Sequence, residues 1–438
     1  MRKPITAIIL SLIVGMLMLA GCQQEDAAQE EGPVTLKLAR FFGDCDDTTK
    51  GVTDVSKATT ECEVIQILTN KFNAENEGGI VIERLGGAEW GTYYDALNTS
   101  FAGGDPPDVA VVHGSNLPDY ADRGLLMPLD DLYAEAGIDV SDWTEPAQNA
   151  VKYDGVGYGV AFDLHASLDH VNVDIFKEAG LVDANGDPIR PTSPEEFMAQ
   201  AEKVKETTGA YYFVTDASQF PFSARLLVTL VYQQGSSLIS EDGNSANVDT
   251  PEARRAVEFM LELFEKGYAN PDHNYTAAQE AFLDGNAAIM NNGTWAVDQY
   301  NREADFEYRA MDRATIFGSP AVWANSHMWI LPKKEDGNYE AGMKFLKFLY
   351  DNSFAWTAGT GHLAPRTSVL EGEELKSIPQ RNNYAHTADI AMLVPSILNW
   401  QAVEDILKEE IEATWLTGKD VGKALEDADR RINEVLQR

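Results

Sequence analysis

Short apolar runs and longer amphipathic stretches alternate along most of the chain, which has 438 residues. Val34, Leu36 and Leu38 alternate with other residues, and residues 80–82 and 109–112 are continuously apolar. Such runs are typical of strands. Residues 64–72 and 90–101, which lie between these runs, predict helices, the first with its apolar residues on one helical face. Strands that alternate with helices predict an α/β fold with a mostly parallel sheet.

Polar and aromatic residues follow two of these predicted strands. Residues 40–44 come directly after the first strand, and residues 113–116 follow the strand at 109–112. Ligands of open parallel sheets bind outside the carboxyl ends of the strands. We therefore expect one cleft to collect a set of side chains from this half of the chain: Arg40, Asp44, Trp90, His113, Ser115 and Asn116.

Helix signals continue through the second half of the chain. Ser193 and Glu196 form a capping box around Pro194, and Thr250 precedes a second helix that Gly267 ends. The last stretch, residues 421–435, keeps a helical period to its end. These stripes predict helices that pack on a core.

The stretch from residue 155 to residue 176 is the most informative part of the sequence. Gly155, Gly157 and Gly159 punctuate a strand-like run that ends at Phe162. A second run at residues 168–173 leads into a helix that Gly180 ends. The pattern predicts a strand, a connector, a second strand and a helix.

This stretch resembles the segment that crosses between the lobes in extracellular solute-binding protein family 1, the sugar-binding proteins of bacterial ABC importers. Asn172 and Asp174 match the family pattern, as do residues 175–176 and 179–181. Ala161 stands where the family usually has proline, and residues 170–171 replace its usual aromatic pair. Further matches lie at residues 103–129, 278–300, 338–350 and 361–366, so the resemblance covers residues 34–438.

The resemblance implies a two-lobed fold of the periplasmic-binding-protein type. Each lobe would be a mostly parallel sheet flanked by helices, with three hinge connections between the lobes. Residues 34–162 and 319–362 would form the first lobe, and residues 163–318 and 363–438 the second. Within the family, the chain resembles the maltose- and maltodextrin-binding proteins. The resemblance implies a monomeric, non-enzymatic protein that delivers a carbohydrate to the permease subunits of an ABC transporter.

Length and charge agree with this interpretation. A chain of 438 residues is too long for one compact core and predicts two or three domains. Acidic residues outnumber basic ones 70 to 34, which gives a net charge of −36. Such a charge disfavours nucleic acids and anionic lipid surfaces as partners. The acids are dispersed, so they indicate a solvated surface and not an acidic binding tract.

The first 22 residues have the form of an export signal. Arg2 and Lys3 precede an apolar run at residues 5–20, which is shorter than the ~20 residues of a membrane span. Residues 19–22 read Leu-Ala-Gly-Cys and resemble the bacterial lipobox, in which Cys22 would carry the lipid. We therefore expect a lipoprotein signal peptide at 1–21, a flexible tether at 22–33 and an anchor on the outer face of the cell membrane. An ordinary signal peptide is the alternative.

The other two cysteines, Cys45 and Cys62, predict a disulfide bond in an exported chain. The bond would staple a polar loop and add ~3 kcal/mol to the free energy of unfolding. A redox or metal-binding pair is the alternative, but there is no C-x-x-C spacing.

A neutral sugar needs flat aromatic rings for its apolar faces and planar polar groups for its hydroxyls. Tryptophans and polar residues in the segments that the family turns toward its cleft meet this need. Besides the first-lobe set above, the candidates are Asp163, His165, Trp295, Trp323, His327, Arg366 and Trp400. For each of them, ordinary packing is the alternative role.

Other functions have weaker support in the sequence. Phosphate loops, nucleophile elbows and zinc-helix motifs are absent from the printed sequence, and with 70 acids the spacing of carboxylates cannot identify a glycosidase. The seven histidines form no cluster along the sequence, so we predict no metal and no cofactor. Binding of a polyol, glycerol phosphate or polyamine stays open. So do the identity, linkage and length of a sugar.

Overall fold

The computed structural model describes residues 33–86 and 89–437. The signal peptide, the tether up to residue 32 and the lipid attachment at Cys22 are predictions that lie outside this part. The described strands are β1 (Val34–Ala39), β2 (Ile80–Arg84), β3 (Val109–His113), β4 (Lys152–Tyr153), β5 (Val156–Gly157), β6 (Gly159–Asn172), β7 (Tyr211–Val214), β8 (Ala287–Gly293), β9 (Tyr308–Met311), β10 (Val322–Ile330) and β11 (Ala391–Leu393).

Helices connect and cover these strands. In the first half they are α1 (Asp46–Thr49), α2 (Glu61–Glu75), α3 (Trp90–Ala102), α4 (Leu117–Asp122), α5 (Asp130–Ala136), α6 (Glu145–Ala150), α7 (Val173–Glu178), α8 (Pro194–Thr208) and α9 (Phe222–Tyr232). In the second half they are α10 (Pro251–Glu265), α11 (Tyr275–Leu283), α12 (Val297–Glu303), α13 (Tyr339–Asp351), α14 (Ser353–Thr360), α15 (Thr367–Leu370), α16 (Glu373–Lys376), α17 (Thr387–Ile390), α18 (Trp400–Leu416) and α19 (Val421–Leu436).

The main sheet of the described residues has the order β2-β1-β3-β10-β6-β8-β7, with β11 beside β10 and β9 beside β6. The outer strands are parallel to their neighbours, as β1 is to β2 and β3, and as β7 is to β8. The central strands β10 and β6 run antiparallel to each other. The parallel strands therefore belong to two lobes, and β6 and β10 are the long strands that both lobes share.

Strand β6 differs in one respect from the sequence prediction. We expected two strands with a connector near residues 163–167, but β6 is continuous over 14 residues and every one of them is buried. Strand β10 pairs with its first half, while β8 and β9 pair with its second half. A strand with partners along its whole length has no reason to break, because its backbone hydrogen bonds are satisfied throughout.

The two largest hydrophobic clusters of the described residues lie on either side of this shared pair. One contains β1, β3 and the aromatic residues Trp329 and Trp356. The other contains α9, α10 and the inner faces of α18 and α19. The fold is thus the expected two-lobed α/β architecture. The exact residue boundaries of the lobes remain predictions.

Local signals explain several helix starts. Ser193 accepts a hydrogen bond from the backbone N–H of Glu196, and the Glu196 carboxylate accepts one from the backbone N–H of Thr192. Thr250 caps α10 through the N–H of Ala253. Such caps satisfy the unpaired N–H groups of the first helical turn.

Cys45 and Cys62 form the predicted disulfide bond. The bond ties the residue before α1 to the first turn of α2. Among the described residues, none of the helices combines the length and the apolar character that crossing a membrane requires.

Candidate functional site

Two cavities of the described part adjoin each other between the lobes. The inner one has a volume of about 280 Å³ and the outer one about 770 Å³. Trp90 and Phe220 line both of them. Their rings meet edge to face with centroids 5.4 Å apart, so the two cavities are compartments of one cleft.

The inner cavity has a floor of imidazole rings. Within the described residues it is lined by His113, His165, His327 and His362. His113 ends β3, whereas His165 and His327 lie on the shared strands β6 and β10. The rings of His165 and His327 stack with centroids 4.2 Å apart, and those of His113 and His327 are 4.6 Å apart.

Asp163 lies beneath these rings and is fully buried. Its carboxylate is 2.8 Å from Nδ1 of His327 and 3.2 Å from Nδ1 of His165. It also accepts hydrogen bonds from the indole Nε1 of Trp356 at 2.7 Å and from the backbone N–H of His327 at 3.2 Å. The carboxylate thus orients two of the rings, and it does not itself line the cavity.

Electrostatics in the floor follow from burial and from this carboxylate. Burial, by itself, would raise the pKa of Asp163, but the facing rings of His327 and His362 and two hydrogen bonds hold that pKa well below its usual range. Burial lowers the pKa of His165 to about 3, and it also lowers the pKa of His113 well below its usual value. Both of these imidazoles are therefore neutral at pH 7.

His362 has a different environment. Burial would lower its pKa, but Asp163 and the Glu61 carboxylate, 2.6 Å from its Nε2, raise that pKa above the usual value. Its neighbour Leu363 forms two backbone hydrogen bonds with Leu164 of β6, at 2.9 and 3.0 Å. Gly361 makes the preceding turn with a φ of +88°, and a Cβ there would lie 2.4 Å from the carbonyl oxygen of Thr294. This turn brings His362 onto the floor.

Aromatic rings form the walls of the inner cavity. Phe41 and Phe42 follow β1, and Phe41 stacks on His113 with centroids 4.9 Å apart. The opposite wall is formed by Phe220, Phe222, Tyr275 and Trp295. The indole Nε1 of Trp295 donates to the hydroxyl of Tyr275 at 3.2 Å, which fixes the position of this ring in the wall.

Arg225 is the basic residue among the described lining residues of the inner cavity. Its Nε donates to Glu404 at 3.1 Å, and its guanidinium lies 4.3 Å from the centre of the Trp323 ring. Burial raises the pKa of Glu404 despite this ion pair.

Of the residues predicted to contact ligand, several line the cavities. Those in the inner cavity are Trp90, His113, His165, Trp295 and His327, and Asn116 lies in the outer one. These residues therefore lie together at the two cavities, and their contact with a ligand stays a prediction.

Other predicted residues have packing roles in this structure. Arg40 is buried and donates to the Gly43 carbonyl and to Gln66, and Asp44 pairs with Arg84 on the surface. Ser115 accepts a hydrogen bond from Asn325. Arg366 binds Asp142 at 2.7 Å. None of these four lines either cavity.

Two predicted tryptophans are also placed away from the cavities. Trp323 is 1% exposed and lies behind Arg225. Trp400 is 3% exposed and belongs to the hydrophobic cluster of the second lobe. Its neighbours Asn399 and Gln401 line the outer cavity instead. The family motif predicted the start of α18 correctly. The orientation of this helix about its own axis, however, directs the Trp400 indole into the core.

Sequence reasoning missed several lining residues, namely Phe41, Phe42, Glu61, Phe220, Phe222, Arg225, Tyr275 and His362. The sequence did contain a signal for Phe41 and Phe42 as lining residues, because both follow the end of a predicted strand. Glu61 and His362 carried none, since 301 positions separate them in the sequence.

The profile of the bacterial extracellular solute-binding proteins matches residues 68–383. The chain belongs to this family. Members of the family bind solutes and do not transform them, so the chain is a binding protein and not an enzyme. The family is extracellular, which makes the chain an exported protein.

Individual relatives are distant but cover most of the chain. The sn-glycerol-3-phosphate-binding periplasmic protein UgpB of Shigella flexneri is 23% identical over 403 residues, which is 85% of this chain and 89% of the relative. The GacH receptor of Streptomyces glaucescens, solved unliganded and with acarbose, superposes with a TM-score of 0.78 at 19% identity and covers 93% of this chain and 99% of its own. An ABC substrate-binding protein of Listeria monocytogenes, solved with cycloalternan, gives 0.77 at 20% identity with 92% and 99% coverage.

Proposed function

We propose that this solute-binding protein captures a carbohydrate, a di- or oligosaccharide, in the interlobe cleft and delivers it to an ABC permease. The supporting observation is that both lobes contribute aromatic rings to the lining of the inner cavity, Trp90 from the first lobe and Trp295 from the second. Rings at two walls suit the apolar faces of sugar rings. The polar groups between them, Glu61 and the imidazoles, can bond hydroxyls.

The volumes support a ligand larger than one ring. The inner cavity of about 280 Å³ is slightly smaller than the ~300–1,000 Å³ typical of small-molecule sites. The outer cavity adds about 770 Å³ and is lined by amides and carboxylates, among them Asn98, Asn116 and Asp405. A chain of sugars could place one unit on the floor and continue outward along these polar groups.

Contacts between the lobes support capture by closure. Asp119 beside the first-lobe cluster accepts a hydrogen bond from the backbone N–H of Asn399 at 2.8 Å. Trp90 meets Phe220 across the same mouth. A ligand that touches both lobes only when they are closed shifts the population toward this closed state. X-ray scattering should therefore show a smaller radius of gyration with saturating sugar than without it, and an unchanged radius would rule out closure.

A second candidate ligand is a glycerol-phosphate-type anion. Arg225 favours it, because a guanidinium in a cavity can bind phosphate oxygens through paired hydrogen bonds. The relative from Shigella flexneri is named for such a ligand. The Glu404 ion pair and the net charge of −36 oppose it, since both disfavour a second anion in the cleft.

One calorimetric screen separates these candidates. Purified protein is titrated with a panel of di- and oligosaccharides, with sn-glycerol 3-phosphate and with polyols. The carbohydrate proposal expects saturable binding of at least one sugar and an affinity that falls tenfold or more in Trp295→Ala. Binding of glycerol phosphate alone, abolished by Arg225→Gln, would replace the first proposal by the second.

The lipid anchor belongs to the same proposal. A thioether-linked lipid at Cys22 would hold the protein on the outer face of the cell membrane, beside the permease. Cys22→Ser should move the protein from the membrane fraction to the soluble fraction, whereas Gln23→Ser, as a matched control, should leave it in the membrane fraction. Equal membrane retention of wild type and Cys22→Ser would show that the anchor is absent.

A further inference from the structure

Three of the four histidines on the cavity floor have their ring nitrogens close together, which sugar binding does not require. One ring nitrogen each of His113, His165 and His327 can be chosen so that all three lie within 4.8 Å of one another. Nε2 of His113 is 3.2 Å from Nε2 of His327. Two imidazole nitrogens bound to one tetrahedral zinc ion at ~2.0–2.1 Å are separated by ~3.4 Å, so this pair already has the spacing of zinc ligands.

The other ring nitrogens of these histidines are held by hydrogen-bond partners. Nδ1 of His327 and Nδ1 of His165 both lie against the Asp163 carboxylate, and Nδ1 of His113 is 2.5 Å from the hydroxyl of Tyr94. Metal-binding histidines commonly use their second nitrogen in this way, because the hydrogen bond fixes the orientation of the ring. The nitrogens that would bind an ion are then Nε2 of His113 and Nε2 of His327, which lie 3.2 Å apart, together with Nε2 of His165.

The surroundings also suit a bound cation. The Asp163 carboxylate is fully buried beneath the rings, and Glu61 lies at the same cavity. Arg225 opposes a cation, but its charge is paired with Glu404 at 3.1 Å. The three rings border the inner cavity, so a fourth coordination position would be open to water or to a ligand atom.

We propose that His113, His165 and His327 form a binding site for one divalent transition-metal ion of the Zn²⁺ type on the floor of the cleft. Asp163 and Tyr94 position the rings from behind. A set of three imidazoles with an open fourth position suits Zn²⁺ and excludes the oxygen-preferring Ca²⁺ and Mg²⁺. The site goes beyond the proposed sugar binding, because it needs no sugar.

The hydrogen bond between the two Nε2 atoms offers a competing explanation. One imidazole could donate to the other, and the cluster would then be a packing network that binds no ion. The two explanations differ in one measurable respect: only the metal site binds Zn²⁺ with a stoichiometry of one per chain.

The test is a calorimetric titration of the chelator-treated, full-length protein with Zn²⁺ in the absence of sugar. We expect one Zn²⁺ per chain and a higher melting temperature. His113→Gln and His327→Gln should weaken the affinity ~100-fold or more, and Tyr94→Phe, which removes an outer partner, ~10–100-fold. His386→Gln is the matched control, because the His386 side chain is 60% exposed and distant from the cavity.

A second measurement does not depend on the folding of the variants. X-ray absorption of the zinc-loaded wild-type protein should show three imidazole nitrogens at ~2.0–2.1 Å. Absence of stoichiometric Zn²⁺ binding, fewer than three imidazoles around the ion, or an equal loss of affinity in His386→Gln would each overturn the proposal. Because sugar is omitted, failure here leaves the carbohydrate proposal standing, and a failed glycan screen leaves this proposal standing.

Discussion

His327 of β10 faces Asp163 of β6 in the register of the central strands, and two hydrogen bonds join them. Nδ1 of His327 is 2.8 Å from the Asp163 carboxylate, and its backbone N–H donates to the same group at 3.2 Å. The pairing shifts register directly after His327. Such an irregularity changes the direction of a side chain, and it commonly occurs beside binding sites. The same contact therefore joins the two shared strands and supports the floor of the cleft.

Removal of this carboxylate should destabilise the whole molecule. Asp163→Ala leaves Trp356, His165 and His327 without their common acceptor, and loss of one member of a buried charged network costs ~3–5 kcal/mol. Chemical denaturation measures this loss of unfolding free energy. Asp105→Ala is the control, because its ion pair with Lys37 is exposed and contributes at most ~1 kcal/mol. Equal effects of the two substitutions would contradict the role of Asp163.

Two tryptophans that resembled each other in the sequence should now behave differently. Trp295 lines the cavity, so Trp295→Ala should weaken sugar binding tenfold or more with little change in stability. Trp400 is packed in the second-lobe core, so Trp400→Ala should lower the free energy of unfolding by ~3–5 kcal/mol. Affinity and thermal melts measure the two effects.

Trp415 provides a matched control for the binding measurement. It lies at the far end of the helix that Trp400 begins, where it packs on Phe264 and donates to the Ala217 carbonyl. Trp415→Ala should leave the sugar affinity unchanged. A loss of affinity equal to that of Trp295→Ala would mean that the indoles act through stability alone.

The stability that Glu412 contributes should fall as the pH rises from about 4.5 to 7, because its carboxyl group is buried. Burial raises its pKa from 4.5 to about 7, although Ser223 donates a hydrogen bond to it. In this interval the folded state holds a proton that the unfolded state has lost, so the free energy of unfolding decreases with pH. At ~1.4 kcal/mol per pKa unit, the contribution is up to ~3 kcal/mol.

Glu412→Gln should remove this part of the pH dependence, since the amide can still accept the Ser223 hydrogen bond and does not titrate. Denaturation curves at pH 4.5, 5.5, 6.5 and 7.5 compare the variant with the wild type. Glu434→Gln, at a half-exposed helix position, is the control and should follow the wild type. Parallel curves for wild type and Glu412→Gln would contradict the assignment.

The disulfide bond should matter for both stability and ligand binding. Cys62 follows Glu61 in the first turn of α2, so the bond with Cys45 restrains the residue that pairs with His362. Reduction should lower the free energy of unfolding by up to ~3 kcal/mol and also weaken ligand binding. A thiol probe should not label Cys45 or Cys62 in unfolded, unreduced protein. Stoichiometric labelling of these two residues before reduction would show that the bond is absent.

Local patterns determined much of the architecture. The alternation of Val34, Leu36 and Leu38 predicts β1, and the capping box at Ser193 predicts the start of α8. These predictions hold because strand periodicity and helix capping depend on neighbours a few positions apart. The two-lobed α/β fold class and the family also followed from the sequence.

Tertiary structure decided which side chains meet at the cleft. The sequence places His113, His165, His327 and His362 far apart, and we predicted no metal from that spacing. Strand register and the turn at Gly361 bring their rings onto one floor, because both depend on pairing between distant segments. Trp400 is the opposite case, because the sequence assigned it to the cleft and the tertiary structure placed it in the core. A motif located its helix, but only packing against the second-lobe core decided that its indole lies away from the cavities.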